Sequence, residues 1–197
     1  MTEKEAFAKR ERWLEEKYFR QKEQELIQKI RRRRELKEAT GVVDEEILND
    51  LQALGYTRET VEKLLHLVPL VQVAWAEGFV TKRERKRIFE VAGLRGVVEG
   101  TPTYRQLTAW LDERPSDEFF EKTLLIIYHL LGLLPPEERE KRKRDLMTYC
   151  MLVASASGSI LGLWDTVSET EQATLEQIAA ELEGKHEAAA KRVIGAE

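Results

Sequence analysis

An all-α fold, in which a long N-terminal basic helix precedes a compact multi-helix domain, is what this 197-residue sequence predicts, and three observations lead to it. Good helix formers run without Gly or Pro from about Thr2 to Lys37. Every apolar stretch after that is bracketed by helix start and stop residues, and strand signals are absent. The 42% apolar content supports one sound core, and the roughly 155 residues beyond an arm of about 40 are a typical single-domain length. The expected organisation is therefore a helical arm over 1–40 and an all-helical domain over 41–197.

The arm comes first. At roughly 1.5 Å per residue it would extend about 50 Å. Phe7, Trp13, Tyr18 and Phe19, with Leu14, Leu26, Ile27 and Ile30, are its main apolar residues, and no a/d heptad persists over several turns. A helix so patterned is too polar to fold alone and calls for a partner. Residues 1–40 hold 13 Lys and Arg against 9 Glu, a balance of +4, so the chain total of −4 leaves −8 for the remainder. Arg31 to Arg34 form a basic run of the kind that nucleic acid or anionic lipid attracts, but the interleaved carboxylates weaken both readings, and no nucleic-acid partner is expected.

Ala39-Thr40-Gly41 ends the arm, and Asp44 with Glu45 and Glu46 opens a short helix closing at Gly55. Thr57 starts the next. Pro69 should break or kink the apolar stretch Leu64 to Trp75, leaving a buried second piece. Further helices fit Lys82 to Ala92, Thr103 to Asp112, Asp117 to Leu131, Glu137 to Ser155 and Glu169 to Glu183. Gly93 to Thr103 reads as the main internal loop, Arg114-Pro115-Ser116 as a tight joint, and Leu134-Pro135-Pro136-Glu137 as a turn.

A weak internal repeat joins about 64–92 to 144–182. Ala74-Trp75-Ala76-Glu77-Gly78 precedes Val80-Thr81 with Glu84, and Ala154-Ser155-Ala156-Ser157-Gly158 precedes Val167-Ser168 with Glu171. Each copy is a small-residue helix, a glycine stop and a capping box. The body thereby resembles the tellurite-resistance TerB-like family, an all-helical fold whose paired motif places aspartate before glycine. That resemblance implies a metal site, yet this chain has Glu77 in one copy and Ser157 in the other, with Asp165 the only substitute nearby. No metal is expected to bind.

The arm carries a second resemblance. Ala6-Phe7, Lys9-Arg10-Glu11, Glu15-Glu16, Tyr18-Phe19-Arg20 and Glu25 resemble, without gaps, the inhibitory region of the mitochondrial ATP synthase inhibitor family. In that family the helix wedges between α and β subunits of an F-type ATPase and stops ATP hydrolysis. The resemblance implies that Phe7, Arg10, Glu11, Glu15, Glu16, Tyr18, Phe19 and Arg20 bind such a partner. It departs in two respects: only Met1 to Glu5 precede the match, where the family has a longer leading arm, and the first histidine is His66, so the pH-sensing histidines of the family have no counterpart in the arm.

Catalysis is not expected, since there is no phosphate-binding glycine loop, no His and carboxylate motif with metal spacing and no nucleophile elbow. No cofactor is implied. His66 and His129 read as satisfied core histidines, Trp110, Trp164, Phe119, Phe120 and Tyr128 as core or partly buried residues, and Met147, Cys150 and Met151 as core filling. A lone cysteine offers no intrachain disulfide and fits a reducing compartment. Leu124 to Leu134 is too short to span a bilayer, so a cytoplasmic protein is expected, reaching the inner face of an energy-coupling membrane only through its partner. Oligomeric state stays open. The alternative to the inhibitor reading is a TerB-like metal- or stress-responsive adaptor, with the arm as a tether.

Overall fold

The computed structural model describes residues 3–157 and 167–184, with side chains described at position 13 and over 17–156 and 167–184. The described residues form nine α-helices and no strand: α1 (Glu3–Thr40), α2 (Glu45–Ala53), α3 (Arg58–Leu64), α4 (Val68–Ala74), α5 (Lys82–Leu94), α6 (Pro102–Asp112), α7 (Asp117–Gly132), α8 (Pro136–Ser157) and α9 (Glu169–Leu182). They divide into two compact units, Met1–Arg58 and Glu59–Glu197.

In the first unit α1 runs 38 residues and stops where local chemistry stops it. Thr40 Oγ1 donates to the Leu36 carbonyl at 2.8 Å, and Gly41 takes a φ of +71° while its N–H closes on Lys37 O at 2.9 Å. That left-handed step is open to glycine at little cost. Asp44 then caps α2, its Oδ1 accepting from the Glu46 and Ile47 amides at 2.8 and 3.3 Å. Helix α2 buries Ile47, Leu48 and Leu51 and packs on the C-terminal part of α1. Arg33 donates to Asn49 Oδ1 at 2.8 Å and pairs with Glu45, and Gln52 donates to the Lys29 carbonyl at 2.8 Å.

In the second unit α4 is the central helix, packed against α5, α7, α8 and α9. Its Val68, Pro69, Leu70, Val71, Val73 and Ala74 are all buried. Pro69 breaks the apolar stretch as expected: a 3₁₀ turn at Leu65–Leu67 separates α3 from α4, and the proline sits in the first turn, where its missing N–H leaves nothing unpaired. Thr101 caps α6 with Pro102 in its first turn, so that helix begins just ahead of Thr103. Ser116 caps α7. The turn out of α7 is clamped from α8, because Arg139 donates from Nε to Leu131 O at 3.1 Å and from Nη2 to Gly132 O and Leu134 O at 3.2 Å each. One guanidinium thus bonds three carbonyls at the helix end, of which Leu131 O also accepts from the Leu134 amide at 3.1 Å.

Two expectations for core residues are corrected. Met151 is 59% exposed, because the buried stripe of α8 runs through Leu146, Cys150, Val153 and Ala154 and leaves position 151 outside it. His66 is not a satisfied core histidine: it is largely buried in the 3₁₀ turn, but its Nδ1 has no hydrogen-bond partner. Trp110, Phe119, Tyr128, His129 and Met147 are partly buried, Phe120 and Cys150 fully so, and Trp164 lies outside the described residues.

Candidate protein-binding arm and repeat loops

The arm presents its large apolar side chains to solvent. Trp13 is 56% exposed, Tyr18 58% and Phe19 68%, and Leu26, Ile27 and Ile30 are similarly open. Phe19, Leu26 and Ile30 follow spacings of seven and four, which at about 100° per residue keeps them within roughly 40° of one another. Lys29 and Leu36, which engage α2 or are buried beside it, lie roughly 80–100° around the cylinder from Phe19, and Arg33, which also engages α2, lies at the margin between the two faces. The groove between α1 and α2 is lined by Glu25, Gln28, Lys29, Arg32, Asn49, Gln52 and Ala53 and offers no cover for the aromatics.

Neighbouring charges steady these rings without burying them. Tyr18 and Phe19 meet edge to face with centroids 6.0 Å apart. Lys17 Nζ lies 5.2 Å from the Trp13 ring centre and Lys22 Nζ 5.7 Å from that of Tyr18. Lys22 also bonds Glu25 at 3.1 Å, and that hydrogen bond, aided by the carboxylate's charge, raises its pKa. Such cation–π contacts at exposed sites are weak, because water screens the ammonium. They hold the rings against the helix surface while leaving them open to solvent. Of the residues expected to bind a partner, Tyr18, Phe19 and Arg20 share this exposed stretch. Phe7, Arg10, Glu11, Glu15 and Glu16 occupy helical positions in α1, and their side chains lie outside the described residues.

The basic run divides its work, which the sequence did not reveal. Arg33 turns to α2, while Arg34 pairs with Glu38 at 2.9 Å and Arg31 with Glu35 at 4.0 Å along the helix. The contact of Arg33 with Asn49 spans sixteen residues and has no local signature.

Both capping boxes of the repeat are formed. Thr81 N–H donates to Glu84 Oε2 at 2.7 Å and Glu84 N–H to Thr81 Oγ1 at 3.2 Å. Ser168 N–H donates to Glu171 Oε2 at 2.8 Å and Glu171 N–H to Ser168 Oγ at 3.2 Å. The two carboxylates are buried, Glu84 2% and Glu171 0% exposed. Burial pushes the Glu84 carboxyl up in pKa; its bonds to Thr81 oppose that, and the charges of Glu171 and Glu77 add to it. Glu77 itself is exposed, and Asp165 and the Ser157 side chain lie outside the described residues. Among the described residues no group of three or more His, Cys, Asp or Glu is placed to hold a metal ion, and no helix is long and apolar enough to cross a membrane.

The geometry thus separates two features: an arm whose described aromatics are exposed, and a pair of capping boxes with buried glutamates in the body. Compared with protein-family models, with curated proteins and with solved structures, the chain finds no significant match in any of the three.

Proposed function

We propose that this chain is a regulatory protein that binds an F-type ATPase through α1 and inhibits ATP hydrolysis by inserting that helix at a catalytic interface between α and β subunits. The observation that carries the reading is the pair Tyr18 and Phe19, 58% and 68% exposed on a 38-residue helix, within the stretch that resembles the inhibitory region of the ATP synthase inhibitor family. Exposed aromatics flanked by charges are what a protein interface uses as anchors, with the charges forming its rim. The mechanism is steric: a helix lodged in the cleft holds the catalytic subunits apart from the closed arrangement that hydrolysis requires. Arg20 and the acidic positions Glu11, Glu15 and Glu16 pair with charges lining the cleft, and Phe7 and Arg10 extend the contact toward the tip. The protein reaches the inner face of an energy-coupling membrane through this partner. The test is ATP hydrolysis by the F-type ATPase of the source organism, titrated with the intact chain. Inhibition at or below micromolar concentration supports the proposal, and unchanged hydrolysis at micromolar excess overturns it.

A second reading, the TerB-like adaptor, is favoured by the paired capping boxes at Thr81 and Ser168 with their buried glutamates. In that case the body contacts the partner and removing residues 1–40 leaves capture of that partner intact.

A further inference from the structure

We infer that the cleft walled by α4, α7 and α9, in the unit Glu59–Glu197, binds a primary alkylammonium group. The three helices pack on one another pairwise, and each places two residues about one turn apart along the cleft: Gln72 and Trp75 at the end of α4, Asp117 and Glu121 on α7, Thr174 and Gln177 on α9. The space between them is about 290 Å³. Trp75 is pinned in its wall, since its Nε1 donates to the Trp110 carbonyl at 2.8 Å.

Three observations point to a cation that donates hydrogen bonds. Gln72 is the one polar residue of α4, and its Oε1 is buried without a hydrogen-bond partner. A buried acceptor left unmet is costly, and the terminal torsion of a glutamine is soft enough to turn that oxygen to a donor entering the cleft. On α7, Glu121 lines the same space and makes no hydrogen bond or ion pair among the described residues. Finally, the cation at the cleft, Arg114, is already engaged: its Nη2 bonds Asp117 Oδ1, and its Cζ lies 5.5 Å from the Phe120 ring centre. Arg114 and Asp117 cancel, and the charge left over is that of Glu121.

An alkylammonium answers each of these. It stays protonated across the physiological range and carries three N–H donors and no acceptor. One donor meets the Glu121 carboxylate, a second the Gln72 Oε1, and the third an oxygen of α9. Thr174 Oγ1 suits that third place, because it donates its own proton to the Thr170 carbonyl at 2.8 Å and keeps lone pairs that accept. A short alkyl stem lies along Trp75 and Ala76, and indole is the aromatic wall that an ammonium favours most. An anion would meet the unpaired Glu121 and find Arg114 taken. A lysine side chain and a free small amine share the ammonium chemistry.

The experiment is calorimetric titration and thermal unfolding of the full chain with butylammonium, with butanol as its uncharged counterpart and with potassium at matched ionic strength. Butylammonium should bind at least about tenfold more tightly than either, since charge-assisted hydrogen bonds outweigh neutral ones. Glu121→Gln, at an exposed position, should weaken that binding by at least about fivefold and leave the melting midpoint of the free chain unchanged. Glu118→Gln removes the same charge from the same helix outside the cleft and should leave binding intact. Gln72→Met keeps the volume but loses the orphaned oxygen, so it should weaken binding and melt no lower than the parent. A peptide with one lysine that binds more tightly than butylammonium identifies a protein side chain as ligand, and weaker binding identifies a free amine. Equal response to butylammonium and butanol, equal weakening in Glu118→Gln and Glu121→Gln, or binding retained in both Glu121→Gln and Gln72→Met overturns the proposal.

Discussion

Gly184 and Tyr128 touch so closely that a β-carbon on the glycine would lie 2.7 Å from Tyr128 Oη and 2.8 Å from Cζ. The glycine also holds a φ of +69° just beyond α9, where a side chain is strained whatever the space. Helices α7 and α9 pack together, so this is where the end of one rests on the other. Gly184→Ala should therefore lower stability by about 2 kcal/mol or more, read as a drop of about 4–8 °C in melting midpoint. Adding Tyr128→Phe should recover little, because the ring carbons crowd the position as much as the hydroxyl does.

Acid should weaken the fold through His66. Its pKa is lowered from 6.5 to about 4 by burial first and by Arg95 and Arg142 next. Above pH 6.5 the imidazole is neutral folded or unfolded and contributes no pH dependence. As the pH falls from 6.5 toward about 4, the unfolded chain takes up a proton that the folded chain refuses, so stability is lost across that window. The loss from this residue approaches about 3 kcal/mol. Urea unfolding at stepped pH should show it, and His66→Asn should flatten the curve.

Glu84 should act in the opposite sense. Its folded pKa is raised, so the stability tied to its protonated form is present at low pH and is lost as pH rises through the folded value. Glu84→Gln keeps an oxygen that accepts from the Thr81 N–H while removing the charge beside Glu171. The variant should match or exceed the parent in stability at pH 7 and should lose this part of the pH response, as chemical denaturation will reveal. A loss of about 1 kcal/mol or more at pH 7 would show that the ionised form is the one the cap requires.

The arm makes a further prediction. Tyr18→Ala with Phe19→Ala removes only exposed side chains, so the circular dichroism and melting of the chain should stay within about 0.5 kcal/mol of the parent. Inhibition of ATP hydrolysis should weaken more than about tenfold, since interface anchors typically exceed about 2 kcal/mol each. Glutamine at Arg31 and Arg34 should have the smaller effect and act chiefly on association rate and its salt dependence, for both already pair along the helix.

What could be read from the sequence is what neighbours decide. Asp44, Thr81 and Ser168 announce their helices because a cap bonds amides two or three residues on, and Pro69 must open a helix or break one. The exposure of Tyr18 and Phe19 was likewise visible, since the arm lacks the apolar period that would cover them. What escaped joins distant residues. Nothing around Arg139 marks it as the clamp on the end of α7, and nothing around Gly184 foretells Tyr128. His66 lies in an apolar stretch, which suggested burial, but neither its unpartnered Nδ1 nor the charges of Arg95 and Arg142 that help lower its pKa have a local signature. Met151 was misjudged because three sulfur residues close in sequence need not share one face.

The stripe of α8 has one practical outcome. Cys150 is fully enclosed, and burial pushes its thiol pKa well above the ordinary range, so a native molecule presents no thiolate to an alkylating reagent. As the sole cysteine of 197 residues, it is a built-in clock for the core. Each adduct formed in dilute denaturant records an opening of the packing between α8 and its neighbours, and the reaction rate converts into the free energy of that opening without any engineered label.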